Sequence, residues 1–169
     1  TDLEEKLQIK IGVLGELFGV TRQFAGELAA SSENSVVFYE FPNRLEVLKE
    51  ISKIKVHNLD ELEQLWIAYF DEIVAGSEIK KIDTVITDPD GESFEGSVIR
   101  YGLFSAAHDN KFVTPASSLN SFKLLAKQPE SNIRRSLKRH ARADDYKTVA
   151  IDPTRGFLLS LYLDKPGWL

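Results

Sequence analysis

The sequence predicts an α+β fold, an N-terminal helical layer followed by a small antiparallel β-sheet and a C-terminal helical segment. Three observations carry that prediction. Apolar residues recur at alternating spacings of four and three from Leu7 to Leu28, and again from Leu59 to Ile73. From Ile79 the period drops to two, with Ile82, Thr84 and Ile86 alternating against Asp83, Val85 and Thr87. Asp88-Pro89-Asp90-Gly91 then interrupts two such runs, with proline presetting φ and glycine accepting a positive φ in a hairpin turn.

The first helix is expected to start at Thr1 or Asp2, with Glu4 and Glu5 favourable in its first turn, and to run to about Ala30. Leu7, Ile11, Leu14, Phe18, Thr21, Ala25 and Leu28 form one stripe, the a/d seam of a helix–helix contact. Beside it Gly12, Gly19 and Gly26 fall one heptad apart, with Gly15 between the first two. Glycine costs an exposed helix interior about 1 kcal/mol against alanine, so the series predicts close approach of another backbone along that edge. Bulky neighbours from the same chain, such as Phe18, Trp66 or Phe70, are the other occupants the glycines would admit.

Polar residues Ser31 to Asn34 end the helix, and Val36 to Phe41 is apolar without a decisive period. Pro42 opens a brief helix to about Lys53, with Leu45, Leu48 and Ile51 inward. Asn58 with Glu61 forms a capping box for a third helix, in which Leu59, Leu62, Trp66, Tyr69 and Ile73 point inward and Gly76 is the C-cap. The acids Asp60, Glu61, Glu63, Asp71 and Glu72 fall on the opposite, solvated face. Long first helix packed on third is the expected core of this layer. Strands follow at Ile79 to Thr87 and Ser93 to Phe104; after a turn at Asp109-Asn110 come Phe112-Val113 and Leu119 to Ala126. A basic helix over Glu130 to Arg142, a short strand Thr148 to Ile151 and an apolar run from Phe157 complete the chain. Residues 1–169 are expected to form one domain: 1–76 mainly helical, 77–128 antiparallel β, and 129–169 the basic helix, short strand and C-terminal helical segment.

Composition narrows the function classes. With 43% apolar and 28% charged residues the chain is an ordinary folding sequence, and its net charge of −5 argues against nucleic acid as partner. No cysteine means no disulfide, thiolate metal site or thiol nucleophile. The lack of methionine, even at position 1, suggests a processed or excised piece. His57, His108 and His140 lie in separate segments with no ligand-pair spacing, so neither a metal nor a cofactor is expected. His108-Asp109 is half of an acid–base pair at most, and Gly96-Ser97 lacks the second glycine of a nucleophile turn. The basic segment with Arg134, Arg135, Lys138, Arg139, His140 and Arg142 fits either a solvated helix or a patch for anionic headgroups or an acidic partner.

Three stretches carry a family likeness: Leu14 to Gln23 (LGELFGVTRQ), Leu59 to Trp66 (LDELEQLW) and Ala150 to Leu161 (AIDPTRGFLLSL). In that order, over about residues 12 to 163, the chain resembles the extracytoplasmic N-terminal region of MotA/TolQ/ExbB-family proteins of TonB systems, the TtpC type. No family motif covers the basic segment. The resemblance implies a coiled coil before this region, ExbB-like proton-channel helices after it, and an oligomer in the full-length protein. It implies a periplasmic domain, tethered to the inner membrane, that touches TonB, ExbB and ExbD-type proteins and helps couple the proton gradient to outer-membrane uptake, for example of iron. Pro166-Gly167-Trp168-Leu169 would then lie near the membrane.

The expected function is therefore non-enzymatic protein–protein contact, with Gly15, Gly19 and Arg22 as candidate contact residues. The signature Asp152, Pro153, Thr154, Arg155, Gly156 is expected to set the geometry of the exit toward the membrane, Asp152 capping the next turn and Pro153 occupying its first helical position. A small-ligand sensor domain is the alternative, and would need a deep apolar pocket with convergent polar groups. A hydrolase would need an assembled nucleophile–base pair.

Overall fold

The computed structural model describes residues 2–116, 121–142 and 147–161. Thr1, Leu119, the apolar residues Tyr162 and Leu163, and the expected membrane-proximal Pro166 to Leu169 lie outside them. The element order is α1 (Asp2–Ser32), a single 3-10 turn (Phe38–Glu40), α2 (Arg44–Ile51), α3 (Leu59–Ser77), β1 (Ile79–Thr87), β2 (Ser93–Tyr101), β3 (Ser105–His108), β4 (Lys111–Ala116), β5 (Ser121–Leu124), α4 (Ser131–Ala141) and α5 (Phe157–Ser160). The α+β class is as the sequence predicts. The chain falls into two compact units, residues 1–33 with 41–71, and residues 34–40 with 72–169.

In the first unit α1, α2 and the first part of α3 enclose Ala25, Leu28, Ala29, Leu48, Ile51, Leu65 and Ala68. Asn58 Oδ1 accepts from the Glu61 N–H at 2.9 Å while Glu61 Oε2 accepts from the Asn58 N–H at 2.8 Å, so the capping box that starts α3 forms. The backbone of α1 lies nearer α2 than α3, and the expected packing of α1 on α3 forms as well, through Ala25, Leu28 and Ala29 with Leu65 and Ala68 in the shared core. The buried face of α3 also differs from expectation. Leu65, Ala68, Glu72 and Ala75 are buried, whereas Leu59, Trp66 and Ile73 are exposed. Small residues explain the difference: Ala25 and Ala29 on α1 meet Ala68 on α3 inside the core, so alanines rather than large side chains mark the inward face.

The second unit is built on the sheet. β1 to β5 form an antiparallel meander, and β5 returns to pair with β1 in parallel, Ile86 opposite Phe122, closing a barrel. Ile86, Val98, Ala106, Val113 and Phe122 are all at most 1% exposed. Alternation on β1 is as expected, with Ile82, Thr84 and Ile86 the more buried set. Asp88 Oδ1 accepts from the N–H groups of Asp90 and Glu92, fixing the predicted turn, and Gly91 has φ +96°. Asp109 and Asn110 both take positive φ in the two-residue turn between β3 and β4.

The strand expected over Ser93 to Phe104 instead breaks after Tyr101. At Gly102 φ is +56°, and a Cβ there would lie 2.6 Å from the Gly76 carbonyl oxygen, so only glycine fits this turn. Gly76 itself lies inside α3, which runs on to Ser77, and is not a C-cap. The stretch Thr148 to Ile151 joins no ladder, so it is not a strand; the Ala150 N–H instead donates to Ser136 Oγ of α4 at 3.0 Å.

Arg100 ties this unit together. It sits on β2 two residues after Val98, fully buried. Its Nε donates to Glu40 Oε1 at 2.6 Å, and its Nη1 donates to the carbonyls of Ala75, Glu78 and Gly102. Lys80 joins the same Glu40 carboxylate. Glu72, expected on the solvated face, is buried and accepts from Ser35 Oγ at 3.5 Å.

Truncating Arg100 takes the donor from three carbonyls at once and leaves the Glu40 carboxylate with Lys80. Arg100→Met should cost about 3–5 kcal/mol in urea unfolding, and Arg100→Lys should recover little, lacking the planar fork.

Candidate contact surface

Gly15, Gly19 and Arg22 follow one another at four and three residues along one edge of α1, and the structure keeps them together there. A Cβ built on Gly12 or Gly15 would meet nothing within 4 Å. At Gly19 the nearest atom is Arg22 Nη2 at 4.0 Å, so the guanidinium lies back along the glycine edge. Gly26 faces Ser52 Cβ at 3.9 Å, an ordinary contact. Among the described residues beyond each glycine's own chain neighbours, no other backbone and neither Trp66 nor Phe70 comes within 4 Å of a Cβ at Gly12, Gly15 or Gly19, so of the two occupants left open by the sequence the one within this chain is met only at Gly26.

The a/d stripe divides in two. Thr21, Ala25 and Leu28 are buried in the first unit, while Leu7, Ile11 and Leu14 are 59%, 62% and 48% exposed. A second apolar row, Ile9, Val13, Leu17, Val20 and Phe24, was legible in the same three–four spacing but runs along a different flank of the helix. Its C-terminal members meet α3 in a groove of about 440 Å³ lined by Leu17, Val20, Phe24, Leu62, Leu65 and Trp66, with Thr21 and Tyr69. Phe24 and Tyr69 meet edge to face, ring centroids 6.4 Å apart. The two polar groups of this groove are already engaged: Thr21 Oγ1 donates to the Leu17 carbonyl at 2.9 Å and Tyr69 Oη to the Phe24 carbonyl at 3.4 Å.

The Asp152–Gly156 signature folds as a tight turn. Asp152 is 5% exposed; its Oδ1 accepts from the Thr154 N–H at 2.8 Å and the Thr154 hydroxyl at 2.6 Å, and its Oδ2 accepts from the Leu159 N–H at 3.1 Å. Arg155 and Gly156 take positive φ just before α5. Asp152 thus caps the following turn, as expected, whereas Pro153 lies within that turn and not at a first helical position, because α5 begins only at Phe157. Leu159 is carried into the cluster of Tyr101, Ala107, Phe112, Leu125 and Leu137 on the barrel's flank.

The histidines stand on separate elements. Among the described residues no group of three His, Asp or Glu side chains comes together as a metal site would need. His57 is buried in the first unit, edge-on to Phe18 at 5.7 Å, with Glu61 Oε2 3.6 Å from Nδ1. His108 Nδ1 lies 2.8 Å from the Ser97 carbonyl oxygen, a bond across the sheet to backbone and not to a hydroxyl. His108 and Ile86 also crowd Gly96, where a Cβ would fall 2.8 Å from Ile86 Cδ1. The role of Gly96-Ser97 is therefore barrel packing. His140 sits edge-on to Tyr101 at 5.2 Å.

The basic helix α4 turns Leu137 and Ser136 inward and leaves Ile133 and Ala141 at the surface. Arg134 Nε donates to the Pro129 carbonyl at 3.1 Å and Arg135 to Ser131 Oγ at 3.2 Å. Lys138, Arg139 and His140 occupy the last turn, where cations complement the helix dipole. Lys138 and Arg142, with Lys81 of β1, border a cleft of about 370 Å³.

No family model, curated protein or solved structure matches the chain. Among the described residues no helix is long and apolar enough to cross a membrane.

Burial alone would raise the Asp152 carboxyl; hydrogen bonds from the Thr154 hydroxyl and from the Thr154, Leu159 and Gly156 N–H groups outweigh it and hold the pKa below the ordinary 3.8. The folded state therefore favours the carboxylate. Its contribution is complete above the ordinary value and disappears as pH falls through the lowered one. Asp152→Ala should lose about 1–3 kcal/mol at neutral pH, and the gap to wild type should narrow only below pH 3.8, read from urea titrations over a pH series.

Proposed function

We propose that this chain is a non-enzymatic, contact-making periplasmic domain of an inner-membrane, TonB-energising complex of the ExbB kind. The observation that carries the contact role is the bare glycine edge of α1: Gly15 has open space beside it and Gly19 only the Arg22 side chain. Glycine in a helix is tolerated where something must come close, and among the described residues only the Arg22 side chain does so there. A facing helix could approach along Gly15 and Gly19 while the Arg22 guanidinium supplies a directed donor to an acidic group on the partner. The family assignment rests on the three stretches that resemble TtpC-type proteins. In that setting the domain is held at the inner membrane by flanking segments and transmits contact to TonB, ExbB or ExbD-type proteins.

A small-ligand sensor is less well supported. The apolar groove between α1 and α3 has the volume for a ligand, but its hydroxyls are committed to carbonyls of α1 and among the described residues no charged group lines it.

A photo-crosslinker at Gly15 or Gly19 of the full-length protein in cells should capture a TonB, ExbB or ExbD-type partner. Gly15→Leu and Gly19→Leu should abolish that capture and lower TonB-dependent uptake roughly tenfold, a loss of about 1.4 kcal/mol of coupling. Neither substitution should lower the melting temperature of the isolated chain, because open space awaits the added side chain. Uptake and capture unchanged by both would reject the proposal.

A further inference from the structure

The cleft of about 370 Å³ beside α4 gathers cations from two elements. Lys138 comes from the last turn of α4 and Arg142 from its C-cap four residues on, while Lys81 comes from β1. Like charges four apart on a helix repel each other. The helix dipole favours cations in the last turn of α4, but it does nothing for Lys81 on a strand. Among the described residues no carboxylate pairs with any of the three. Asp109 is the one acid bordering the cleft among those residues, and its carboxylate lies 3.5 Å from His108 Nε2. Three cations against one carboxylate leave two positive charges uncompensated, in a chain whose net charge is −5.

The rest of the lining suits an anion with an apolar body. Ile99, Leu137 and Ala141 form an apolar wall, and Ser97 and Asn110 bring a hydroxyl and a carboxamide with no side-chain hydrogen bond among the described residues. Tyr101, also in the lining, is 3% exposed, and its hydroxyl likewise makes no hydrogen bond among the described residues. Burial pushes the Tyr101 phenol up, so at neutral pH it stays a donor. Buried polar groups are as a rule hydrogen-bonded, and an unpartnered hydroxyl beside three unpaired cations marks a place for an acceptor.

A cleft of this size accommodates one small molecule. A single carboxylate brings one charge and two acceptor oxygens, whereas a phosphate monoester brings close to two charges and three oxygens at neutral pH. A guanidinium grips phosphate oxygens in pairs, and lysines act on them as point charges. We propose that this cleft binds a small phosphate monoester with an apolar body, the phosphate held by Lys81, Lys138 and Arg142 and the body lying against Ile99 and Leu137. All five residues belong to the second unit and the glycine edge to the first, so the site stands or falls separately from the contact role.

Titrating phenyl phosphate into the isotope-labelled 169-residue chain and following amide resonances tests it. Saturable shifts are expected at Ser97, Asn110 and Lys138. Lys81→Gln on β1 and Arg142→Gln beside α4 should each weaken binding about tenfold, the usual loss for one charge-assisted hydrogen bond. Lys123→Gln, which removes an exposed cation of β5 that does not border the cleft, should leave binding unchanged. The three side chains are exposed, so all variants should keep the wild-type melting temperature. Benzoate, with the same ring and one charge, should bind about tenfold more weakly than phenyl phosphate. Absence of saturable shifts overturns the proposal, as does equal weakening by Lys123→Gln or equal binding of benzoate. Capture of the chain by phosphatidic acid vesicles with no binding of phenyl phosphate also overturns it, and assigns these cations to a membrane surface instead.

Discussion

The second unit of this protein depends on one buried cation. Arg100, fully buried on β2, binds the Glu40 carboxylate, the Ala75 carbonyl of α3, the Glu78 carbonyl just after that helix and the carbonyl of Gly102. A helix end leaves its final carbonyls without internal partners, and a buried carboxylate has a high desolvation cost. One guanidinium answers both requirements because its five donors are fixed in a plane. The 3-10 turn, the end of α3 and the β2–β3 turn thereby share a single anchor. Gly102 has to be a glycine because the same convergence brings the Gly76 carbonyl within 2.6 Å of where a Cβ would stand.

Around that anchor the barrel is finished by ordinary packing. Ile86, Val98 and Phe122 fill its interior, and Thr87 Oγ1 lies 3.1 Å from Ser93 Oγ and 3.2 Å from Ser121 Oγ, linking the strands that meet at the parallel seam. Leu137 of α4 and Leu159 of α5 cover the flank beside Tyr101 and Phe112. Asp152 fixes the approach to α5 by exhausting its carboxylate on local donors. Those acceptors are spent on shape, and each histidine is engaged with a ring or a backbone carbonyl near it.

The first unit has the opposite character at its surface. Its core is small and alanine-rich, and α1 extends beyond it with apolar flanks that stay exposed among the described residues. Two edges of one helix are thus available, a bare glycine edge and a leucine–isoleucine stripe, and they differ in the neighbours they suit. The glycine edge accepts a backbone at short range, whereas the stripe accepts interdigitating side chains.

Where period and punctuation were strong, the sequence was enough. It determined α1, the Asn58–Glu61 capping box, the turns at Asp88–Gly91 and Asp109–Asn110, and the Asp152 cap, all of which are local contacts between residues a few positions apart. The tertiary structure alone decided which face of α3 is inward, because alanine is too weakly hydrophobic to reveal close helix packing. It also decided that the meander closes, since pairing Ile86 with Phe122 joins residues far apart in the chain and leaves no mark on either strand's alternation. Arg100 read as one more charged residue in a strand, for the groups that make it indispensable come from three other segments and meet only when the chain folds.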